Sequence, residues 1–234
     1  MLVVAALAVG VPYLAAYFAF LSSKVFRTPS PQGPTLQWLY MQHALQLLIA
    51  LAAIAVVKRL VPADYGLHRP RGKTYIFPAI LWGALFGILM TVVDYAPQLI
   101  AHSKPELDYP LTRSNVLGWL FFEGVYGGPT EEIPFRALLV TYLAATMPGT
   151  LRVGRFEMNW AGVIVAVLFA LLHATNFAVR AWPLALGQQV YAFMLGVLYA
   201  YWLEKSKSVV APSIGHNVGD FVEYAIVFCW VAFL

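Results

Sequence analysis

The chain has 234 residues, of which 61% are apolar and only 11% charged, with a mean hydropathy of +0.71. Soluble domains are about 45–50% apolar and about 25% charged, so a water-soluble globular protein and a disordered chain are both excluded. The formal charge of +4 fits the basic loops of a membrane protein, and no nucleic-acid-binding motif accompanies it.

A membrane crossing with its loop takes roughly 25–30 residues, which allows seven or eight spans and no sizeable extramembrane domain. Residues from Leu2 to Leu21 are almost wholly apolar and read as a first span. They lack the basic start and small-residue cleavage site of a signal peptide. A polar, Pro-rich loop from Lys24 to Pro34 follows, then a second span from Leu36 to Val57 closed by Lys58 and Arg59. Arg69, Arg71 and Lys73 complete the densest basic cluster, which puts this loop, and the N-terminus with it, on the cytoplasmic side. A third span runs from Tyr75 to Ile100, interrupted at Asp94 and Pro97, before a polar loop from His102 to Arg113.

The apolar run from Asn115 to Met147 is too long for one crossing of about 20 residues. Gly127-Gly128-Pro129 predicts a division into helices near 115–126 and 129–147, since proline suits the first turn of a new helix. Further spans are predicted near 159–179, 185–204 and 209–234. The expectation is one all-α, polytopic domain over 1–234, with about eight transmembrane helices. Cys229 is the single cysteine; it forms no intrachain disulfide and reads as a packing residue.

Ionisable side chains inside spans cost several kcal/mol and usually mark function. They fall in three groups. In Thr130-Glu131-Glu132-Ile-Pro-Phe-Arg136, Glu132 and Arg136 are four apart and can pair. Glu131 lies about 100° around the helix and is left unpaired. That suits a general base, although acids also favour a helix start for electrostatic reasons. His173 follows Phe169 by one turn, with Asn176 placed to orient its ring; it is either a hydrogen-bonded core residue or a catalyst or metal ligand. His216, Asp220 and Glu223 share one face of the last span, either as a packing stripe or as part of a site. Three helices carrying such groups imply that they meet in one polar cavity. His43, Asp94 and Glu123 are isolated in sequence and read as packing or interfacial groups, and Ser213 has no acid or base pattern beside it.

Glu131-Glu132-x-x-x-Arg136, Phe169-x-x-x-His173 and His216-x-x-x-Asp220, in that order, resemble the motifs of the CPBP (Abi) family. These are intramembrane glutamic proteases similar to type II CAAX prenyl endopeptidases. The likeness covers about 115–227 and includes the run Ser206–His216, which resembles the family's approach to its last histidine. Ala137 stands where glycine is common, and Asp220 where asparagine is common. The resemblance implies about eight helices around a water-filled catalytic cavity. It implies that Glu131 and His173 activate a water, that His216 and Asp220 face the oxyanion, and that Glu132 and Arg136 organise the site. It implies no cofactor. The substrate it implies is a membrane-associated peptide or protein, either lipidated or carrying a sorting-signal tail, at the inner membrane of a bacterium or archaeon. Two other readings stand beside it. Two histidines and an acid also make a plausible zinc set, without the His-Glu-x-x-His signature. A proton-coupled transporter would use buried Glu and His as a relay, without the repeats that carriers often show.

Overall fold

The structure is a computed structural model that describes residues 2–25, 36–107 and 109–233. The bulk of the predicted Lys24–Pro34 loop lies outside the described residues. The architecture is all-α and polytopic, as expected. Helix α1 is Leu2–Val25, α2 is Leu36–Leu60, α3 is Ile76–Asp94 and the short α4 is Ala96–Ile100. The third span breaks at Tyr95, beside the predicted interruption. Helix α5 runs over 113–146, α6 is Trp160–Leu172 with a 3₁₀ continuation His173–Ala178, α7 is Trp182–Ser206 and α8 is Val210–Phe233. Leu36–Leu60, Ile76–Asp94, Trp160–Ala178 and Trp182–Ser206 are long and apolar enough to cross a membrane. Their outward faces are apolar, as Leu85, Ile88 and Val92 of α3 illustrate, so lipid takes the place that water has around a soluble protein.

Gly127-Gly128-Pro129 does not divide the long apolar run. The backbone stays helical from 113 to 146, with π-helical turns at Phe122–Tyr126 and Ile133–Val140. The physical reason is visible at the two prolines. In an α-helix, Pro129 and Pro134 would leave the carbonyls of Val125 and Thr130 without a donor. Neighbouring helices supply one: Asn217 Nδ2 donates to Val125 O at 3.2 Å and Gln46 Nε2 to Thr130 O at 3.0 Å. Asn217 also accepts from Gly128 N at 2.7 Å, clipping α8 to α5 beside the Glu131 motif. Once its orphaned groups are satisfied from outside, a proline-containing helix continues.

A short hairpin, absent from the sequence expectation, precedes α6. Strands β1 (Thr150–Val153) and β2 (Phe156–Asn159) pair antiparallel around Gly154 at φ +60°. Met158 is fully buried, and Asn159 caps α6 by accepting from Ala161 N at 2.7 Å.

Helix α3 lies against α8 along Gly83-x-x-x-Gly87 and Gly215-x-x-x-Gly219, small residues that let membrane helices approach. A methyl group on Gly83 would stand 2.5 Å from Gly215 O, and one on Gly87 would stand 2.8 Å from Val222 Cβ. This contact holds the α8 face that carries His216 and Asp220. Gly87→Val is expected to cost about 1–3 kcal/mol through overpacking, read as earlier thermal unfolding in detergent. Unchanged melting would show that the helices are not in close contact.

The basic loop after α2 docks under the α7–α8 turn. Val209 N donates to Gly66 O at 3.0 Å and Arg71 N to Ser206 O at 3.1 Å, while the Ser208 hydroxyl donates to His68 O. Within the loop, His68 Nε2 is 2.9 Å from Asp64 Oδ1, and Arg71 Nη1 is 3.2 Å from Asp64 Oδ2. The Arg69 carbonyl, then Asp64, raise the His68 pKa above its ordinary 6.5. Burial opposes ionisation of Asp64, but His68, the Gly66 N–H and Arg71 outweigh it and hold the carboxyl below its ordinary 3.8. The His68 contribution is therefore complete below its ordinary value and lost as pH rises through the raised one. The Asp64 contribution is complete above its ordinary value and lost as pH falls through the lowered one. Amide exchange over Gly66–Arg71, corrected for its intrinsic rate, is expected to quicken between about pH 5 and about pH 8 in wild type. It should not do so in His68→Gln; an equal response in both would remove His68 as the cause.

Candidate active site

The polar residues of α5, α6 and α8 converge, as their cost in a membrane requires. Glu132 and Arg136 are fully buried with Arg136 Nε 3.0 Å from Glu132 Oε2, the predicted pair. The contact is close but not aligned as a hydrogen bond, and Arg136 has no hydrogen-bond partner among the described residues. Its guanidinium instead lies over the Phe169 ring at 4.4 Å and near Tyr199 at 5.6 Å, held by charge and by the faces of aromatic rings. The second oxygen of Glu132 takes His216 Nδ1 at 2.8 Å.

His216 is the hub. Its Nε2 is 3.1 Å from Asp220 Oδ2, its partner one turn along α8, and 3.8 Å from Glu131 Oε2. Both ring nitrogens thus face carboxylate oxygens, which accept hydrogen bonds. Tyr199 lies alongside the imidazole, with ring centroids 5.9 Å apart and planes 22° apart.

Glu131 lies between two histidines. His43 Nε2, on α2, is 3.8 Å from Glu131 Oε1. The other His43 nitrogen is 2.7 Å from Thr130 Oγ1, and that hydroxyl is itself in place to donate to Gly127 O at 2.7 Å. The Thr130 hydroxyl has one hydrogen, so His43 Nδ1 donates to it and Nε2 is left facing Glu131. Contacts of 3.8 Å exceed a direct hydrogen bond and suit a bridging water. His43 is therefore a site-lining residue and not the isolated packing group that its sequence position implied. Thr130 was the signal: its short side chain, beside Glu131, is complementary to a donor from another helix.

His173 caps the C-terminus of α6. Its Nδ1 is 3.0 Å from Phe169 O; a carbonyl only accepts, so Nδ1 donates this bond and Nε2 is left free of it. Asn176 does not orient this ring. Its side-chain amide donates to Gln188 Oε1 at 2.5 Å, because the 3₁₀ turn replaces the α-helical spacing on which the expectation rested.

Two cavities meet here. One, of about 290 Å³, lies between α1, α2, α5 and α6. The other, of about 410 Å³, is bounded by α3, α5, α6, α7 and α8. Glu131, Phe169 and His173 line both, and His216 and Asp220 line the larger. Glu132 and Arg136 stand behind the wall. Asp94 and Glu123 also border the larger cavity, which corrects their reading as isolated groups. Asp94 pairs with Arg180 at 3.4 Å and accepts from the Tyr191 hydroxyl at 2.9 Å. Among the described residues, no group of three His, Cys, Asp or Glu side chains is placed to hold a metal ion.

A comparison with protein families matches residues 113–222 to the type II CAAX prenyl endopeptidase Rce1-like family. The match begins at the first residue of α5 and contains Glu131, Glu132, Arg136, His173, His216 and Asp220; His43 lies outside it. No curated protein and no solved structure matches the chain.

Proposed function

We propose that this chain, whose residues 113–222 match the type II CAAX prenyl endopeptidase Rce1-like family, hydrolyses a peptide bond near the terminus of a membrane-associated substrate through water activated by Glu131 and His173. The observation that carries this reading is the wall shared by the two cavities, where Glu131 and His173 border the same space. Glu131 takes a proton from water, the hydroxide adds to the carbonyl carbon, and the proton passes to the leaving nitrogen as the C–N bond breaks.

His216 supplies the positive end. Its Nδ1 donates to Glu132 and its Nε2 lies 3.1 Å from Asp220; set between two carboxylates, the ring carries its charge as an imidazolium, which faces the cavity and opposes the oxyanion charge. The 3.1 Å contact supports Asp220 as the carboxylate that pairs with His216, in place of a neutral donor to the oxyanion. Glu132 and Arg136 hold this ring from behind. The substrate is a lipidated or sorting-signal tail presented from the bilayer, and the protein resides in the inner membrane of a bacterium or archaeon.

The test is hydrolysis of tail peptides tethered to proteoliposomes by the purified protein, after exhaustive dialysis against a strong chelator. Cleavage is expected to persist at its original rate. Loss on chelation, restored by stoichiometric zinc, would replace the glutamate mechanism with a metal-dependent one.

A further inference from the structure

The mechanism uses neither Glu123 nor Glu223, although both border the larger cavity. Glu123 lies on the first π-helical turn of α5 and is only 8% exposed. Among the described residues its carboxylate has no hydrogen-bond donor and no cation within ion-pair distance. Glu223, three residues beyond Asp220 on α8, likewise has none. The other acids of this wall are matched: Asp94 by Arg180, Asp220 by His216, Glu131 by His43 and His216.

Unmatched carboxylates in a membrane interior are costly and persist where they meet a charge from outside. We propose that Glu123 and Glu223 seat a cationic side chain, lysine or arginine, of the substrate close to the bond that is cut. The word substrate rests on the peptidase reading, but the cation site does not. The cavity has the room, about 410 Å³, and Tyr191 and Tyr224 are in its wall, aromatic residues of the kind that attract ammonium and guanidinium groups. A metal ion fits the site poorly, because no three ligating side chains gather there among the described residues. A lysine or arginine brings its own donors and an apolar stem that suits the aliphatic and aromatic wall.

The first measurement needs no substrate. Wild-type protein in detergent is titrated with n-butylguanidinium and with its neutral counterpart n-butylurea, following thermal unfolding. Butylguanidinium is expected to raise Tm saturably, and butylurea to leave it unchanged. Glu123→Gln and Glu223→Gln should each weaken the apparent Kd by about tenfold or more, whereas Glu157→Gln on the hairpin should not. Glutamine keeps the shape and removes the uncompensated charge, so these variants should fold. The second measurement compares tail peptides carrying lysine or norleucine at successive positions beside the scissile bond. One position should favour lysine about tenfold in kcat/KM in wild type, and the preference should vanish in Glu123→Gln. Equal shifts with butylurea, equal shifts with magnesium or calcium chloride, or unaltered binding in both glutamine variants would each overturn the site. Cleavage without any cation binding rejects this inference and keeps the peptidase; cation binding without cleavage keeps the site and rejects the peptidase.

Discussion

Glu131→Gln is expected to leave the folded protein intact and to lower tail-peptide cleavage by at least about 10²-fold, the scale of a lost general base. The variant keeps the size of the side chain and removes its basicity. Glu131 makes no direct hydrogen bond to either flanking histidine, with both contacts at 3.8 Å, so the substitution breaks no structural bond. It bears on the water that Glu131 and His173 are proposed to activate. A single-turnover assay in detergent, with thermal unfolding measured on the same sample, separates chemistry from folding. Turnover near the wild-type rate would reject Glu131 as the base. In that case His43, which already faces the same carboxylate, becomes the next residue to replace.

Arg136→Ala is expected to destabilise the fold by about 3–5 kcal/mol, because it leaves Glu132 as a fully buried carboxylate without its cation. The loss reaches beyond the pair. Phe169 loses the guanidinium stacked on it at 4.4 Å, and Glu132, freed of Arg136, no longer divides its charge between Arg136 and His216. Activity should therefore fall with folded yield. Arg136→Lys keeps a charge but not the flat guanidinium that fits between Phe169 and Tyr199, so it should fall between alanine and wild type. Thermal or SDS-induced unfolding of the three proteins in detergent gives the order. An alanine variant that unfolds like wild type would show that the pair is not buried.

These two expectations differ in how far the sequence alone carried them. The spacing of Glu132 and Arg136 states their pairing, because residues four apart on one helix are neighbours wherever that helix packs. The same spacing joins His216 to Asp220. Composition states the membrane, since so few charges cannot coat a soluble surface. The order of the three motifs on helices α5, α6 and α8 carried the family resemblance that the match over 113–222 bears out.

What the sequence left undetermined was every relation between helices. Periodicity fixes the face on which a residue lies but not the face it meets. In a membrane the lipid-facing and core-facing sides are both apolar, so hydropathy does not separate them. His43, Asp94 and Glu123 therefore look isolated in the chain and become neighbours of Glu131, Arg180 and the cavity only when α2, α3 and α5 assemble. The continuity of 113–146 is decided in the same way. Gly127-Gly128-Pro129 is a break for a helix in isolation. It is overridden because Asn217 on α8 and Gln46 on α2, far from Pro129 along the chain in either direction, satisfy the carbonyls that the two prolines orphan. Asn176 shows the converse, since a 3₁₀ turn removes a relation that α-helical spacing predicts. The sequence by itself determined the class, the i,i+4 pairs and the ordered motifs, all of them local in the chain. Only the tertiary structure decided which carboxylates are matched and which face open space, because that depends on donors and cations delivered by other helices.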